Sequence, residues 1–284
     1  MTDEPNLLGE YLRARRERVG PERVGLSRSG VRRVPGLRRE EVALLAGISA
    51  DYYLRLEQGR DRNPSVQVLE SVARVLQLDD AGTAHLLGLA GDRPRRRRRR
   101  PTRRETVPAG TLKLLGAIGL PAFVEGRYLD VLAANPLAAA VSPRLVAGRN
   151  RLRDVFLDPA EQALYAAYDP AAVAAEMVAG FRQLVGAETD DPRLVELVGE
   201  LSLASPTFRA AWARHDVMVP EGAAVTLDHP EVGALTLNRE KLAVGGAPGL
   251  TLVLYHADVG TAAADKLQML ASYSAPARPE DIIT

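Results

Sequence analysis

Apolar residues return at helical spacing along the start of the chain. Around Asn6 to Arg18, Leu8, Tyr11 and Leu12 lie among arginines, and Asn6 is placed to cap a first helix. Val42, Leu45 and Ala46 follow at i, i+3 and i+4 behind Leu37, predicting a second helix over about 38–46. Tyr53 and Leu56 give the inner face of a third, over about 50–58. Between these two stands Ala46-Gly47-Ile48-Ser49. Gly47 can take the positive φ that ends a helix abruptly, Ile48 can pack the turn, and Ser49 is a good N-cap. Two short helices joined by such a turn make a helix-turn-helix. After Asn63-Pro64-Ser65, the spacing of Val66, Leu69, Val72, Ala73 and Leu76 predicts a fourth helix, and Ala81–Leu89 a fifth.

The pattern changes further on. A short helix is expected at Thr111–Ile118, and a strand or hairpin at Phe123–Leu132 around Gly126. Pro159–Val185, Asp191–Leu203 and a stretch from Ser205-Pro206 to about His215 carry helical spacing. Ala223–Leu227, Ala234–Leu237 and Leu250–His256 alternate as antiparallel strands do, with Gly245–Gly249 as a turn, and Thr261–Ser272 predicts a last helix. One sheet with covering helices makes this half α+β. The expected organisation is a five-helix bundle over 1–91, an Arg/Pro-rich linker over 92–108 and an α+β domain over 109–284.

Charge separates the halves as clearly as periodicity does. The net charge is only +1, yet residues 1–104 hold 23 arginines, no lysine and 14 acids, a balance of +9 against −8 for the remainder. A basic helical half suits a polyanion, and arginine suits bidentate phosphate and guanine contacts. Six consecutive arginines at 95–100 repel one another and cannot pack, so they read as a solvated hinge or a non-specific clamp on DNA. The long connection from Val19 to Gly36 offers Arg32 and Arg33 either as surface residues or as backbone and minor-groove contacts.

In a helix-turn-helix the second helix of the pair enters the major groove by its N-terminal end. The candidate DNA contacts are therefore Ser49, Ala50, Asp51, Tyr52 and Arg55, with Arg39 before them, Arg60 after them, and Arg32 and Arg33 on the loop. Tyr53 reads as core, Asp51 as support for the helix N-terminus, and His85 as an ordinary residue.

Some chemistry is missing. There is no cysteine, so disulfides, thiolate metal sites and cysteine nucleophiles are excluded. No nucleophile elbow, phosphate-loop lysine or zinc-protease signature occurs. His215, Asp216, Asp228, His229 and His256 include no helical i, i+4 pair, so neither an enzyme nor a metal or cofactor site is expected. Charged residues stand where a signal peptide needs apolar ones, and no run approaches the roughly 18 apolar residues of a membrane span, so the expectation is cytoplasmic, with no membrane partner.

Arg39-Glu40-Glu41-Val42-Ala43, Gly47-Ile48-Ser49 and Arg55-Leu56-Glu57-Gln58-Gly59 resemble the repressor-type helix-turn-helix of the XRE family. In that family the acid matching Glu57 pairs with a first-helix arginine, which here implies Arg16. Gly126-Arg127, Asp130–Ala133 with Asn135, Ser205-Pro206 with Phe208, Trp212–Val217 and His229–Gly233 with Leu235 are similar to the MmyB-like ligand-binding domain. The two resemblances together span about residues 7–273, and the chain departs from the pattern at Tyr128 and Ala134, where tryptophan is more usual. They imply a PAS-like sheet with helices over one face, and a small apolar ligand, foremost a long-chain fatty acid. Arg127, Tyr128, Trp212, Arg214 and His215 are the candidate ligand contacts, Arg127 being able to hold a carboxylate. The expected function is a transcription regulator that binds double-stranded DNA as a homodimer and senses that ligand. The alternative makes the second half a ligand-free docking or dimerisation module.

Overall fold

A computed structural model describes residues 6–26, 36–61, 63–91, 105–186, 191–219 and 222–274. Arg32, Arg33 and the arginine run lie outside them. The structure divides into two units. The first comprises the described residues of Met1–Pro101, Val178–Val195 and Arg209–Val219, and the second those of Thr102–Met177, Glu196–Phe208 and Pro220–Thr284.

In the first unit the opening periodicity becomes five helices: α1 (Leu7–Arg18), α2 (Arg39–Ala46), α3 (Ala50–Glu57), α4 (Val66–Val75) and α5 (Asp80–Ala90). Their starts are fixed locally. Asn6, Ser49, Ser65 and Asp79 each accept a backbone N–H of the first turn with a side-chain oxygen, at 3.0, 3.1, 3.3 and 2.7 Å. Gly47 ends α2 at φ +71°, as the sequence demands. Tyr11, Leu12, Leu37, Val42, Tyr53, Leu56, Leu69, Val72 and Leu86 form the core. Each such fully buried large side chain contributes about 1.5–3 kcal/mol by leaving water.

Two points differ from the expectation. Leu45, assigned to the inner face of α2, is 39% exposed, and Ala43 is buried in its place. In an eight-residue helix clamped between α3 and α4, the small side chain is the one that permits close approach. Gly9 gave no sequence signal, yet a Cβ there would meet the Glu57 carbonyl oxygen at 2.0 Å, so α1 and α3 approach closely only because it is glycine.

The later part adds α6 (Ala109–Ala117), β1 (Ala122–Glu125), β2 (Val131–Ala134), α7 (Pro136–Val141), α8 (Arg151–Leu157), α9 (Pro159–Leu164), α10 (Pro170–Val185), α11 (Pro192–Ala204), α12 (Pro206–Ala213), β3 (Ala223–His229), β4 (Gly233–Ala243), β5 (Thr251–His256) and α13 (Ala262–Ser274). The strands of the second unit form one antiparallel sheet in the order β2-β1-β5-β4-β3. Its inner face presents Phe123, Val253, Tyr255, Leu227, Leu235 and Leu237 to Leu137, Val141, Leu164, Leu267 and Leu270 of the covering helices. The opposite face is not bare: Leu115 of α6 packs there against Ala122, Val124, Leu250 and Leu252.

The helical stretch expected over 159–185 is two helices. Asp169-Pro170 breaks it, because the residue before proline is driven out of the α region, and Asp169 then accepts the Ala171 N–H at 3.1 Å to start α10. Helices α7 and α8 escaped the sequence reading. Both are short and begin at asparagine caps, Asn135 accepting from Ala138 at 2.9 Å and Asn150 from Arg153 at 3.1 Å. Buried Asn135 also accepts the Ala122 N–H at 3.1 Å and donates to the Leu120 carbonyl at 2.7 Å, which ties α7 to β1.

Candidate functional site

The exposed side of the helix-turn-helix collects most of the predicted contacts. Ser49, Ala50, Asp51 and Arg60 are exposed, and Tyr52 is half-buried. Arg55 bonds Asp51 one turn earlier, and its guanidinium lies 5.6 Å from the centre of the Tyr52 ring. Tyr52 is hydrogen-bonded to Asp61, and its phenol is raised by burial and by that carboxylate. Asp51 therefore does more than favour the helix N-terminus: it holds the guanidinium of Arg55 beside the outward face. Tyr53 is buried, as expected.

Beneath this face, fully buried Glu57 accepts from Arg16 Nε at 2.6 Å with one oxygen and from Arg39 Nε at 2.6 Å with the other. Arg16 also donates to the Leu37 carbonyl at 2.8 Å. Burial opposes the Arg16 charge, but Glu57 outweighs it and raises the guanidinium's pKa. The pairing implied by the family resemblance is present, with Arg39 as a second partner. Arg39 keeps 43% of its side chain exposed, so an interior carboxylate orients a residue at the surface.

Trp212, Arg214 and His215 belong to the first unit, and Arg127 and Tyr128 to the second. Arg182 stacks on Trp212 at 3.8 Å from the ring centre and donates to the Trp212 carbonyl at 2.5 Å. His215 follows α12 at φ +53°, and Arg214 Nε donates to Asp216 at 2.9 Å. Arg127 lies 6.0 Å from the centre of the Tyr128 ring, and its backbone N–H donates to Glu105 at 2.9 Å.

The sequence reading missed a buried ionic cluster on the helix-covered face of the sheet. Arg151 of α8 is 4% exposed, stacks on Phe123 at 5.4 Å, and stands 3.4 Å from the Tyr165 hydroxyl and 3.9 Å from Glu125. Glu125, also buried, accepts from Lys241 Nζ at 3.0 Å. Arg239 lies two residues before Lys241 on β4, opposite Tyr255 in register, and reaches Glu176 at 3.2 Å. Burial alone would lower the Arg151 pKa, but Tyr255, Tyr165, Glu125 and Glu161 together raise it. Burial lowers Lys241, with Glu125 opposing, and raises the Glu161 carboxyl, to which Ser142 donates at 2.6 Å. Two polar atoms in the cluster are buried without a hydrogen-bond partner, Arg239 Nε and one oxygen of Glu125. Such orphans are uncommon in interiors. The signal was present in β4. Extending the alternation of Leu235 and Leu237 by two steps puts Arg239 and then Lys241 on the core face.

Two of the histidines weighed for catalysis, His229 and His256, lie beside named partners. His229 donates from Nε2 to the Ala140 carbonyl at 2.8 Å and accepts the Glu231 N–H on Nδ1 at 3.2 Å, so its proton location is fixed by structure. His256 lies 3.9 Å from Glu240 on the neighbouring strand. Among the described residues no group of three or more His, Cys, Asp or Glu could hold a metal ion, and no helix is long and apolar enough to cross a membrane.

Comparison with known families agrees with this division of labour. A model described as a helix-turn-helix domain matches residues 7–86, and one described as an MmyB-like transcription regulator ligand binding domain matches residues 107–270. No curated protein matches the chain.

Proposed function

Since the chain belongs to the MmyB-like transcription regulator family, with a helix-turn-helix ahead of a ligand-binding domain, we propose that it reads DNA through α3 and senses a fatty-acid-like ligand in the sheet domain. Residues 1–91 are the reader, 92–108 the linker and 109–284 the sensor, working in the cytoplasm as a homodimer. In the reader, Arg55 and Arg39 carry the specific contacts, Ser49, Ala50, Asp51, Tyr52 and Arg60 flank them, and Arg32 and Arg33 supply backbone contacts from the loop. The arginine run adds attraction without sequence preference.

The single observation that carries the ligand reading is the buried Arg239 Nε, which has no hydrogen-bond acceptor within the protein. Arg151 and Lys241 pair with Glu125 and Arg239 with Glu176, on the sheet face that also carries Phe123, Leu235 and Leu237. A carboxylate headgroup would accept from Arg239 Nε while an acyl tail took up apolar contacts. On this reading Arg239 joins Arg127, Tyr128, Trp212, Arg214 and His215 as a candidate ligand contact. The antiparallel order β2-β1-β5-β4-β3 with helices on the inner face supports the PAS-like reading.

The DNA reading is tested by selecting duplexes from a random pool with the full-length protein and then measuring Arg55→Ala by fluorescence anisotropy. The variant is expected to lose about 1–3 kcal/mol of discrimination at one base position, while replacing the arginine run by Gly/Ser weakens all sequences alike and flattens the salt dependence. Unchanged preference in Arg55→Ala would show that another element reads the bases.

A further inference from the structure

The arginine that α3 turns outward is braced from two directions. Arg55 keeps 44% of its side chain exposed, and its Nη1 donates to Asp51 Oδ2 one helical turn earlier. The guanidinium carbon also lies 5.6 Å from the centre of the Tyr52 ring, within the range of a cation–π contact. Tyr52 itself is anchored twice. Its ring packs against the core of the helical bundle, and its hydroxyl donates to Asp61, beyond the end of α3.

The chain after α3 explains how Asp61 comes back to Tyr52. Gly59 stands at φ +65° and reverses the backbone, and the Arg60 N–H then donates to the Arg55 carbonyl at 2.9 Å. Asp61 in turn accepts the Asn63 N–H at 3.3 Å, which holds its carboxylate in a local turn.

Bracing changes what an arginine does near DNA. A guanidinium on a long side chain, left to itself, is drawn to phosphates and adds affinity without sequence preference. Asp51 opposes that pull, because phosphates repel its carboxylate as they attract the arginine. The bond to Asp51 engages Nη1, and the edge formed by Nε and Nη2 is a fork that matches O6 and N7 of guanine. Adenine places an amino donor where guanine has O6, so the same fork rejects it. An exposed pair such as Asp51–Arg55 adds little stability, but it takes up rotamer freedom before DNA arrives.

We propose that Arg55 reads a guanine, and that Tyr52 and Asp61 are positioning residues which, with Asp51, set its guanidinium for that base before DNA is bound. This role rests on α3 being the helix that contacts DNA, and it brings in Asp61, which lies outside the helix pair.

Duplexes selected from a random pool by the full-length protein give the site, and anisotropy titrations of its single-base variants give the discrimination at each position. Arg55→Ala marks the position that Arg55 reads. The wild type should require guanine there, and 7-deazaguanine, which lacks the N7 acceptor, should weaken its binding by about tenfold while leaving Arg55→Ala unmoved. Tyr52→Phe, which keeps the ring and loses the bond to Asp61, and Asp61→Ala should each lower discrimination at that same position by about three- to tenfold, with the other positions unchanged. The double variant should lose no more than the worse single one, because both act through one bond. A fold defect would weaken every duplex alike, so the position of the loss is its own control. Discrimination that stays at wild-type values in Tyr52→Phe and Asp61→Ala, or that falls evenly across the site, would overturn the positioning role. A base other than guanine at the marked position would overturn the base assignment. Wild type that selects no duplex, or Arg55→Ala with its preference intact, would instead sink the reading of α3, and this role with it.

Discussion

Two buried carboxylates, Glu57 in the first unit and Glu125 in the second, are partnered in different ways. In the reader, Glu57 is enclosed by two arginines, each carboxylate oxygen accepting one short bond. In the sheet domain, Glu125 bonds Lys241 with one oxygen, the other accepts no hydrogen bond and pairs with Arg151 only at 3.9 Å, and Arg239 Nε has no acceptor. A buried charge removed from water is stable when its partners saturate it, and costly when they do not. The saturated pair fixes α1, α2 and α3 in one arrangement. The cluster in the sheet is the one proposed above to take a ligand.

The largest effect expected from this contrast is at Glu57. Glu57→Ala leaves Arg16 buried beside an unfilled space and should cost about 3–5 kcal/mol of stability, read from urea unfolding. A loss under 1 kcal/mol would place Glu57 with the weak surface pairs. Arg239→Met is expected to run the other way. Exchanging this half-buried cation, whose Nε has no acceptor and whose ion-pair partner is the exposed Glu176, for an apolar chain of similar size should leave the ligand-free protein as stable or more stable. The same exchange should weaken binding of straight-chain fatty acids by about 1.5–3 kcal/mol, measured by calorimetric titration. Equal destabilisation by both substitutions would erase the distinction drawn here.

A smaller effect concerns pH. His85 and His215 are held down to about 4, first by burial and then by Arg182, with Asp216 opposing at His215. Their unfolded value is near 6.5. Above that value neither state binds the proton, so nothing is lost. Between about 6.5 and 4 the unfolded chain takes it up first, and stability falls with pH. The thermal midpoint of the first unit should therefore drop on acidification through this window, and less steeply in the His85→Gln, His215→Gln double variant. Identical slopes in wild type and double variant would assign the pH response to the carboxylates.

Much of the reader was legible in the sequence, because caps, Gly47 and helical spacing are local signals that involve a few neighbouring residues. Leu45 was misplaced for want of packing information, since a helix of eight residues has room for one close-packed face and the neighbouring helices choose it. In the second half the three later strands and most helices could be read, whereas α7 and α8 could not, being a turn or two long and dependent on Asn135 and Asn150. The ionic cluster was hidden for another reason. It draws Glu125 from β1, Arg151 from α8, Tyr165 from beyond α9, and Arg239 and Lys241 from β4, and no stretch of sequence contains them together.

The most direct test of the ligand assignment is native mass spectrometry of the full-length protein purified from its host, alongside Arg239→Met, followed by organic extraction. The account predicts an added mass of about a few hundred daltons on the wild type, a size fitting a pocket-bound ligand. Extraction should release it as a carboxylic acid with an apolar chain, and its occupancy should fall in Arg239→Met. Wild-type protein that carries no added mass, and is not stabilised by any of a panel of straight-chain fatty acids, would contradict the account and leave the second domain as a docking or dimerisation module.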